Sequence, residues 1–322
     1  MTALTPTPPV SATPAAAADD PMPAPPHTLA LDHIVIAVHD REAAIADYRA
    51  LGFQVLVGGE HPGRTSHNAL VVFADGSYLE IIAWRAPAPE ERWYRTLRDH
   101  GEGLVDFALL PHDTAQRLAE ARARGLSTLT GPLDGSRLRP DGAQLRWQTA
   151  RHTTPDVPFL CGDITPRALR VPEGEVRHHP NGALGVASIT VAVHDLDATL
   201  ARYRALLGPG TEPSTAADAT STAAPTGMRA AALTVGELQV LLQTVDAHAG
   251  ALPDAADAAD AADEPPASSS RNGSDDATLR QRLATRGEGP CAVSLRRAPG
   301  PAPSTLGNAS THGVALHWAR AT

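Results

Sequence analysis

The chain has 322 residues, 42 % of them hydrophobic but only 4 % aromatic, so two structural units are expected, separated by stretches poor in core-forming side chains. A formal charge of −9, with no dense Lys/Arg stripe, excludes a nucleic-acid partner. Two cysteines, Cys161 and Cys291, exclude a disulfide framework and suit the cytoplasm, and no apolar run approaches the ~20 residues of a membrane span.

Residues 1–27 are mostly Pro, Ala and Thr with almost nothing to bury, and read as a disordered leader. Leu29 to Val38 is a β-branched run. Asp40 then caps a helix whose apolar face carries Ala44, Ile45, Tyr48 and Leu51, with Gly52 as its stop. Phe53 to Val57, His67 to Ala74 and Ser77 to Trp84 read as three strands, the last two joined at Asp75-Gly76 as a two-residue hairpin turn. The result is a βαβββ module. A less regular second module follows: a strand at Gly103 to Leu110, a helix from Asp113 to Gly125, then strands near Ala143 to Ala150 and Val157 to Asp163. Two such modules can close one curved sheet.

The rest of the chain repeats this pattern. Ile189-Thr-Val-Ala-Val-His-Asp195 and Tyr203-Arg-Ala-Leu206 mirror Ile34-Val-Ile-Ala-Val-His-Asp40 and Tyr48-Arg-Ala-Leu51. Gly287-Glu-Gly289 repeats Gly101-Glu-Gly103, and Gly313 to Trp318 resembles Gly142 to Trp147. The expected organisation is therefore a first domain over 28–175 and a duplicated, eroded second copy over 183–322, with disordered insertions near 211–226 and 249–276.

Leu31-Asp-His-Ile-Val-Ile-Ala-Val38, the Tyr48-Arg-Ala-Leu-Gly-Phe53 helix end and Asp75-Gly-Ser-Tyr-Leu-Glu-Ile-Ile82 resemble the glyoxalase-like branch of the vicinal oxygen chelate superfamily. His67-Asn-Ala-Leu70 and Phe159 to Arg167 fit the same branch. The resemblance implies an α+β fold of paired βαβββ modules (glyoxalase/bleomycin-resistance/dioxygenase-like) around a cupped site, often holding a divalent metal that chelates neighbouring substrate oxygens. It also implies that ligands come from the first and fourth strands of each module, where His33 and Glu80 stand in the first module and Asp106 in the second. For the last position Cys161 and Asp163 are the nearest candidates.

Strand alternation can be applied to these residues without the family. A two-residue turn at Asp75-Gly76 sets Val71 opposite Glu80 and His67 opposite Trp84, so His67 and Glu80 share a face. Four residues of strand separate them, roughly 13 Å at ~3.3 Å per residue, which puts His67 at the rim of the cup. Glu80, between Leu79 and Ile81, is costly to bury unless paired with a cation, a metal or a donor. His33 has a bland reading too, as a strand histidine with its ring hydrogen-bonded. The second copy has Ser188, Val240 and Ala292 at the positions of His33, Glu80 and Asp106, which points to a site confined to the first copy. The His-Asp pairs at 39–40, 112–113 and 194–195 sit where strands give way to helices and read as caps.

The candidate set is then His33, Glu80 and Asp106 as metal ligands, Glu80 and His67 as proton movers, and His67, Asn68, Arg64 and Arg85 as substrate contacts. Such a protein would act on a small oxygenated metabolite by metal-assisted proton transfer, as a lyase or isomerase. The alternative is a metal-free binding or sequestering protein of the same fold. Mixed imidazole and carboxylate ligands suit Mn, Fe, Ni, Zn or Mg. An internal duplication favours a monomer over a dimer.

Overall fold

The computed structural model of the chain describes residues 29–215, 227–245, 272–300, 306–307 and 309–319. The leader 1–27 and most of both insertions lie outside the described residues.

Eight strands close a barrel. They are β1 (Ala30–Ala37), β2 (Leu56–Glu60), β3 (Ser66–Val72), β4 (Tyr78–Trp84), β5 (Gly103–Leu110), β6 (Leu129–Leu138), β7 (Gln144–His152) and β8 (Phe159–Asp163), in the order β1-β4-β3-β2-β6-β7-β8-β5. With helices α1 (Arg41–Ala50) and α3 (Thr114–Ala123) they make two βαβββ modules, and α2 (Arg92–His100) and α4 (Arg167–Arg170) are additions. The second half is an open sheet of β9 (Ala183–Ala192), β10 (Ser214–Thr215), β11 (Met228–Val235), β12 (Leu238–Val245), β13 (Gly289–Arg297) and β14 (Ala315–Trp318), with α5 (Leu196–Leu207) and α6 (Asn272–Arg286). No helix among the described residues is long and apolar enough to cross a membrane.

Alternation along β1 serves both faces of the barrel wall. Ile34, Ile36 and Val38 point outward into a core that contains Ala44, Ile45 and Tyr48 of α1 together with Ile189 and Val191 of β9. Val35 and Ala37 point inward, where α2 lays Trp93 and Leu97 against them. The open sheet thus buttresses the barrel from outside.

The two sheets share local wiring. β1 pairs parallel with β4 and antiparallel with β5, as β9 does with β12 and β13. Asp40, Asp113 and Asp195 cap α1, α3 and α5 by accepting from first-turn amides, as the sequence implies. Glu102 accepts from the His39 amide at 2.7 Å, and Glu288 from the His194 amide at 2.8 Å, which gives the repeated Gly-Glu-Gly segments a structural purpose. Both first strands share a bulge at the equivalent place: Asp32 lies between the Leu31 and His33 pairings, and Ala187 between the Val186 and Ser188 pairings. These features are consistent with a duplicated arrangement.

Several expectations are corrected. The β3–β4 turn is closed by Phe73 N–H donating to Ser77 O at 2.8 Å around Ala74-Asp75-Gly76, because Asp75 Oδ1 accepts from the Ser77 amide and hydroxyl and Gly76 adopts φ 80°. That slips the register by one, setting Leu70 rather than Val71 opposite Glu80, and turns His67 to the other face. β2 starts at Leu56 instead of Phe53, and β6 and α2 are elements the sequence reading omits. β14 runs parallel to β13 as β8 does to β5, so it takes the place of β8 and not that of the Trp147 strand. Ser188 faces Gln239 as His33 faces Tyr78, so Leu241, not Val240, matches Glu80. The insertion edges are ordered: Ser214–Thr215 pair with β11, and α6 begins at Asn272.

One corner joins barrel to sheet. Asp156, fully buried, accepts through Oδ2 from Thr199 Oγ1 and Arg202 Nε, each at 2.8 Å, on α5. Asp156→Ala leaves that guanidinium and hydroxyl facing an apolar side chain and should cost about 3 kcal/mol in denaturant titrations; a loss under about 1 kcal/mol would contradict the role. Nearby, burial lowers the pKa of His152 to about 4, and its Nε2 has no partner among the described residues. Between pH ~6.5 and 4 only the unfolded chain binds this proton, so the contribution is full above ~6.5 and is lost as pH falls towards 4. Stability measured at pH 7 and 4.5 should fall by roughly 2–3 kcal/mol less in His152→Gln than in the parent chain.

Candidate functional site

The barrel encloses a cavity of about 190 Å³. On its wall, β1 and β4 bring an imidazole and a carboxylate together: His33 Nε2 lies 3.4 Å from Glu80 Oε2. Both are buried, His33 at 3 % and Glu80 at 7 % exposure. The His33 ring stacks on Tyr78 at 4.7 Å and meets Phe159 edge-on, so its plane is fixed by packing as well as by hydrogen bonds.

The second nitrogen of His33 is held by its own neighbour. Consecutive strand residues normally face opposite sides, but the bulge at Asp32 lets its Oδ2 reach His33 Nδ1 at 2.7 Å. Asp32 is fully buried and also receives Arg167 Nη1 at 2.6 Å, Arg170 Nη1 at 2.7 Å and Arg170 Nη2 at 2.9 Å. Burial alone would raise its pKa, yet the Arg170 charge and the His33 hydrogen bond outweigh this and hold the carboxyl well below its usual range. Burial would likewise lower His33, and the bonds to Asp32 and Glu80 reverse the sign, so its pKa is raised. Burial would raise Glu80, but His33 and the amide of Asn68 bring it down to about 2. At neutral pH Glu80 is therefore ionised.

Asn68 Nδ2 donates to Glu80 Oε1 at 2.6 Å, and Asn68 Oδ1 accepts from Arg137 Nη1 at 3.3 Å. A side chain at Gly58 would collide with both of these groups, so the glycine is what lets β2 pass beside them. His61, lowered chiefly by burial, and Trp147 stand in the cavity wall, as do Arg151, Phe159 and Cys161.

The remaining sequence candidates separate. Asn68 lines the cavity, and Arg64 stands at its mouth 3.7 Å from Glu91. His67 does not line it: the register slip leaves it outside the barrel wall near Arg41 and Arg85. Arg85 is paired with Glu60, both well exposed, away from the cavity. Asp106 is buried, but its carboxylate is engaged by Arg92 and by Trp93 Nε1 at 3.0 Å, so it is not directed at His33 and Glu80. Asp163 accepts from Arg170 Nε at 2.5 Å and Arg167 Nη1 at 3.1 Å. His179 is buried, accepting the Gln54 amide on Nδ1 and bonding Val72 O through Nε2. The sequence reading missed Asp32, Tyr78, Arg137, Arg151 and Arg170 altogether.

Donor chemistry tests what a metal would find here. Donor atoms of Asp32, His33 and Cys161 lie within 4.8 Å of one another. Asp32, however, already accepts four hydrogen bonds, and burial keeps the Cys161 thiol protonated by raising its pKa. His33 Nε2 and Glu80 are better suited, because a ligating imidazole has its other nitrogen held by a carboxylate, as Asp32 holds Nδ1. These two donors fit a divalent ion, with the other coordination positions left to solvent or substrate.

The profile of a family described as "Glyoxalase-like domain" matches residues 31–207, more than half of the chain, from β1 through α5. No curated protein matches the sequence. Among solved structures, a hypothetical protein from Staphylococcus aureus is 12 % identical with a TM-score of 0.52, the match covering 68 % of this chain and 87 % of that one. A mutant of 4-hydroxymandelate synthase from Streptomyces coelicolor is 14 % identical with a TM-score of 0.53, covering 85 % of this chain and 72 % of that one. At such identities the likeness concerns the fold.

Because Asp32 neutralises two arginines and orients His33, Asp32→Ala should destabilise the chain by about 3–5 kcal/mol in urea titrations. Asp163→Ala, whose carboxylate is less buried, should cost clearly less; equal losses would show that Asp32 is not the centre of this cluster.

Proposed function

Because this chain belongs to the glyoxalase-like domain family, we propose that its barrel takes up a small oxygenated metabolite and moves a proton on it with His33 and Glu80. The observation that carries this reading is the convergence of His33 Nε2 and Glu80 Oε2 inside the cavity, with Asp32 behind the imidazole. Glu80 is ionised and can accept a proton from a carbon next to a carbonyl. His33, its pKa raised and its Nδ1–H fixed by Asp32, can return one to a developing oxyanion. Trp93, Phe159 and Ile82 line the same space and keep bulk water from the reacting atoms.

His33 and Glu80 are also the residues that would hold a divalent ion, in which case His33 Nε2 would be its ligand in place of the proton donor. When bound, it would polarise neighbouring substrate oxygens as a Lewis acid. Cys161 and Cys291 are free, which suits the cytoplasmic monomer we envisage. The second reading, a non-catalytic binding protein, draws its support from the small number of available protein donors for a metal in this cavity.

Two measurements test the proposal. Elemental analysis should find a stoichiometric divalent ion that is lost in folded His33→Ala and Glu80→Ala variants; full occupancy in those variants eliminates the ligand pair. Exchange of the α-hydrogens of hydroxyacetone with D₂O, followed by NMR, should be accelerated by the parent chain and fall at least about a hundredfold in Glu80→Gln. Equal exchange in parent and variant would reject proton transfer by Glu80 and leave the binding protein.

A further inference from the structure

Four guanidiniums line the cavity, and they are not equivalent. Arg170 is neutralised by Asp32 and Asp163, and Arg64 has Glu91 beside it. Arg137 and Arg151 form no ion pair among the described residues. Arg137 is 3 % exposed, and among the described residues its side-chain hydrogen bond is to the neutral amide of Asn68. Arg151 is held over aromatic faces instead, 4.6 Å from the centroid of Trp93 and 5.0 Å from that of Phe159.

One buried and one partly buried cation without counter-charges carry a desolvation cost that folded proteins rarely leave standing. Burial lowers the pKa of both, and the pull of Glu80 on Arg137 and of Asp106 on Arg151 does not reverse it. The reason Arg137 does not simply pair with Glu80 is visible. Asn68 is interposed, donating to Glu80 and accepting from Arg137, so acid and guanidinium are kept apart while both face the cavity. Asp106, the acid whose charge reaches Arg151, is committed to Arg92 and Trp93.

We infer that Arg137 and Arg151 form a subsite for the carboxylate of a small organic acid, which places the rest of that acid in the cavity beside Glu80. This rests on the reading of the cavity as a metabolite site and names its substrate class. A planar guanidinium matches a carboxylate through paired N–H donors, and a charge-assisted bond in an enclosed space is among the stronger polar contacts. The cavity volume, about 190 Å³, admits a molecule somewhat larger than benzene, which fills a cavity of ~150 Å³.

Calorimetry and thermal shifts on the full chain, at low ionic strength, can isolate the charge by comparing pyruvate with pyruvamide and benzoate with benzamide. The acids should bind saturably and the amides at least about tenfold more weakly. Arg137→Gln and Arg151→Gln should each weaken acid binding by at least about tenfold, and the lysine variants should recover part of it. Amides that bind as tightly as acids overturn the inference, as does failure of both acids to bind. Acid affinity unchanged in both glutamine variants, or inorganic phosphate binding tighter than either acid, overturns it as well. If the arginine variants do not fold, the acid and amide pairs on the parent chain still decide. Charge-dependent acid binding by a parent chain that does not accelerate hydrogen exchange would remove the proton-transfer reading alone.

Discussion

The Asp32 carboxylate is the constraint around which the site is arranged. A fully buried anion in a strand would be expelled or neutralised unless its lone pairs were filled, and here four hydrogen bonds from one imidazole and two guanidiniums fill them. Those partners come from separate parts of the barrel: His33 from β1 itself, and Arg167 and Arg170 from α4 beyond β8. Arg167 also donates to Gly76 O in the β3–β4 turn at 2.8 Å, and Arg170 to the Tyr78 hydroxyl at 2.7 Å. One carboxylate therefore ties both modules together and, in doing so, fixes which nitrogen of His33 faces Glu80.

The bulge that makes this possible is not a product of the charges. β9 carries the same irregularity with Ala187 in the place of Asp32 and Ser188 in that of His33, and its strands pair around it with no charged side chain at either position. The backbone device belongs to the fold, and the barrel has placed chemistry on it. In the second sheet Gln239 and Leu241 stand where Tyr78 and Glu80 stand in the barrel, so a histidine there would have neither a ring to stack on nor an acid to meet. That sheet contributes Ile189, Val191 and Val240 to the common core on one face, and on the other Ala192 packs against Leu279 and Leu283 of α6.

How much could be read from the residues follows from how local each feature is. His33 and Glu80 are legible because facing along a strand depends only on alternation within a few residues, and the βαβββ order follows from Asp caps, glycine stops and strand composition. The position of His67 depends on register across a turn, and the Asp75 side chain closes that turn one residue differently from the simplest Asp-Gly pattern. β6 contains Gly131, Pro132 and Gly135, which read as loop, and becomes a strand only by pairing with β7. Arg137 is carried on that strand, and Arg151 is brought to the same cavity by β7. Asp32 was hidden for a similar reason, since nothing in Leu-Asp-His announces that two neighbours will lie on one side.

Closing the barrel has a consequence for electrostatics that an open sheet would not have. Charges on a solvent-facing sheet are screened and contribute little, whereas inside this cavity each must be answered by a partner or a ligand. Asp32 and Asp163 answer Arg170, His33 answers Glu80, and Asn68 prevents Glu80 from also answering Arg137. A neutral amide at that one position thus keeps a basic and an acidic half distinct within a few ångströms. An uncharged ligand would leave the basic half uncompensated, and a doubly anionic one would press against Glu80. With the proposed acid subsite, the arrangement would favour a molecule with one acidic end and one polarisable oxygenated end, oriented by the protein.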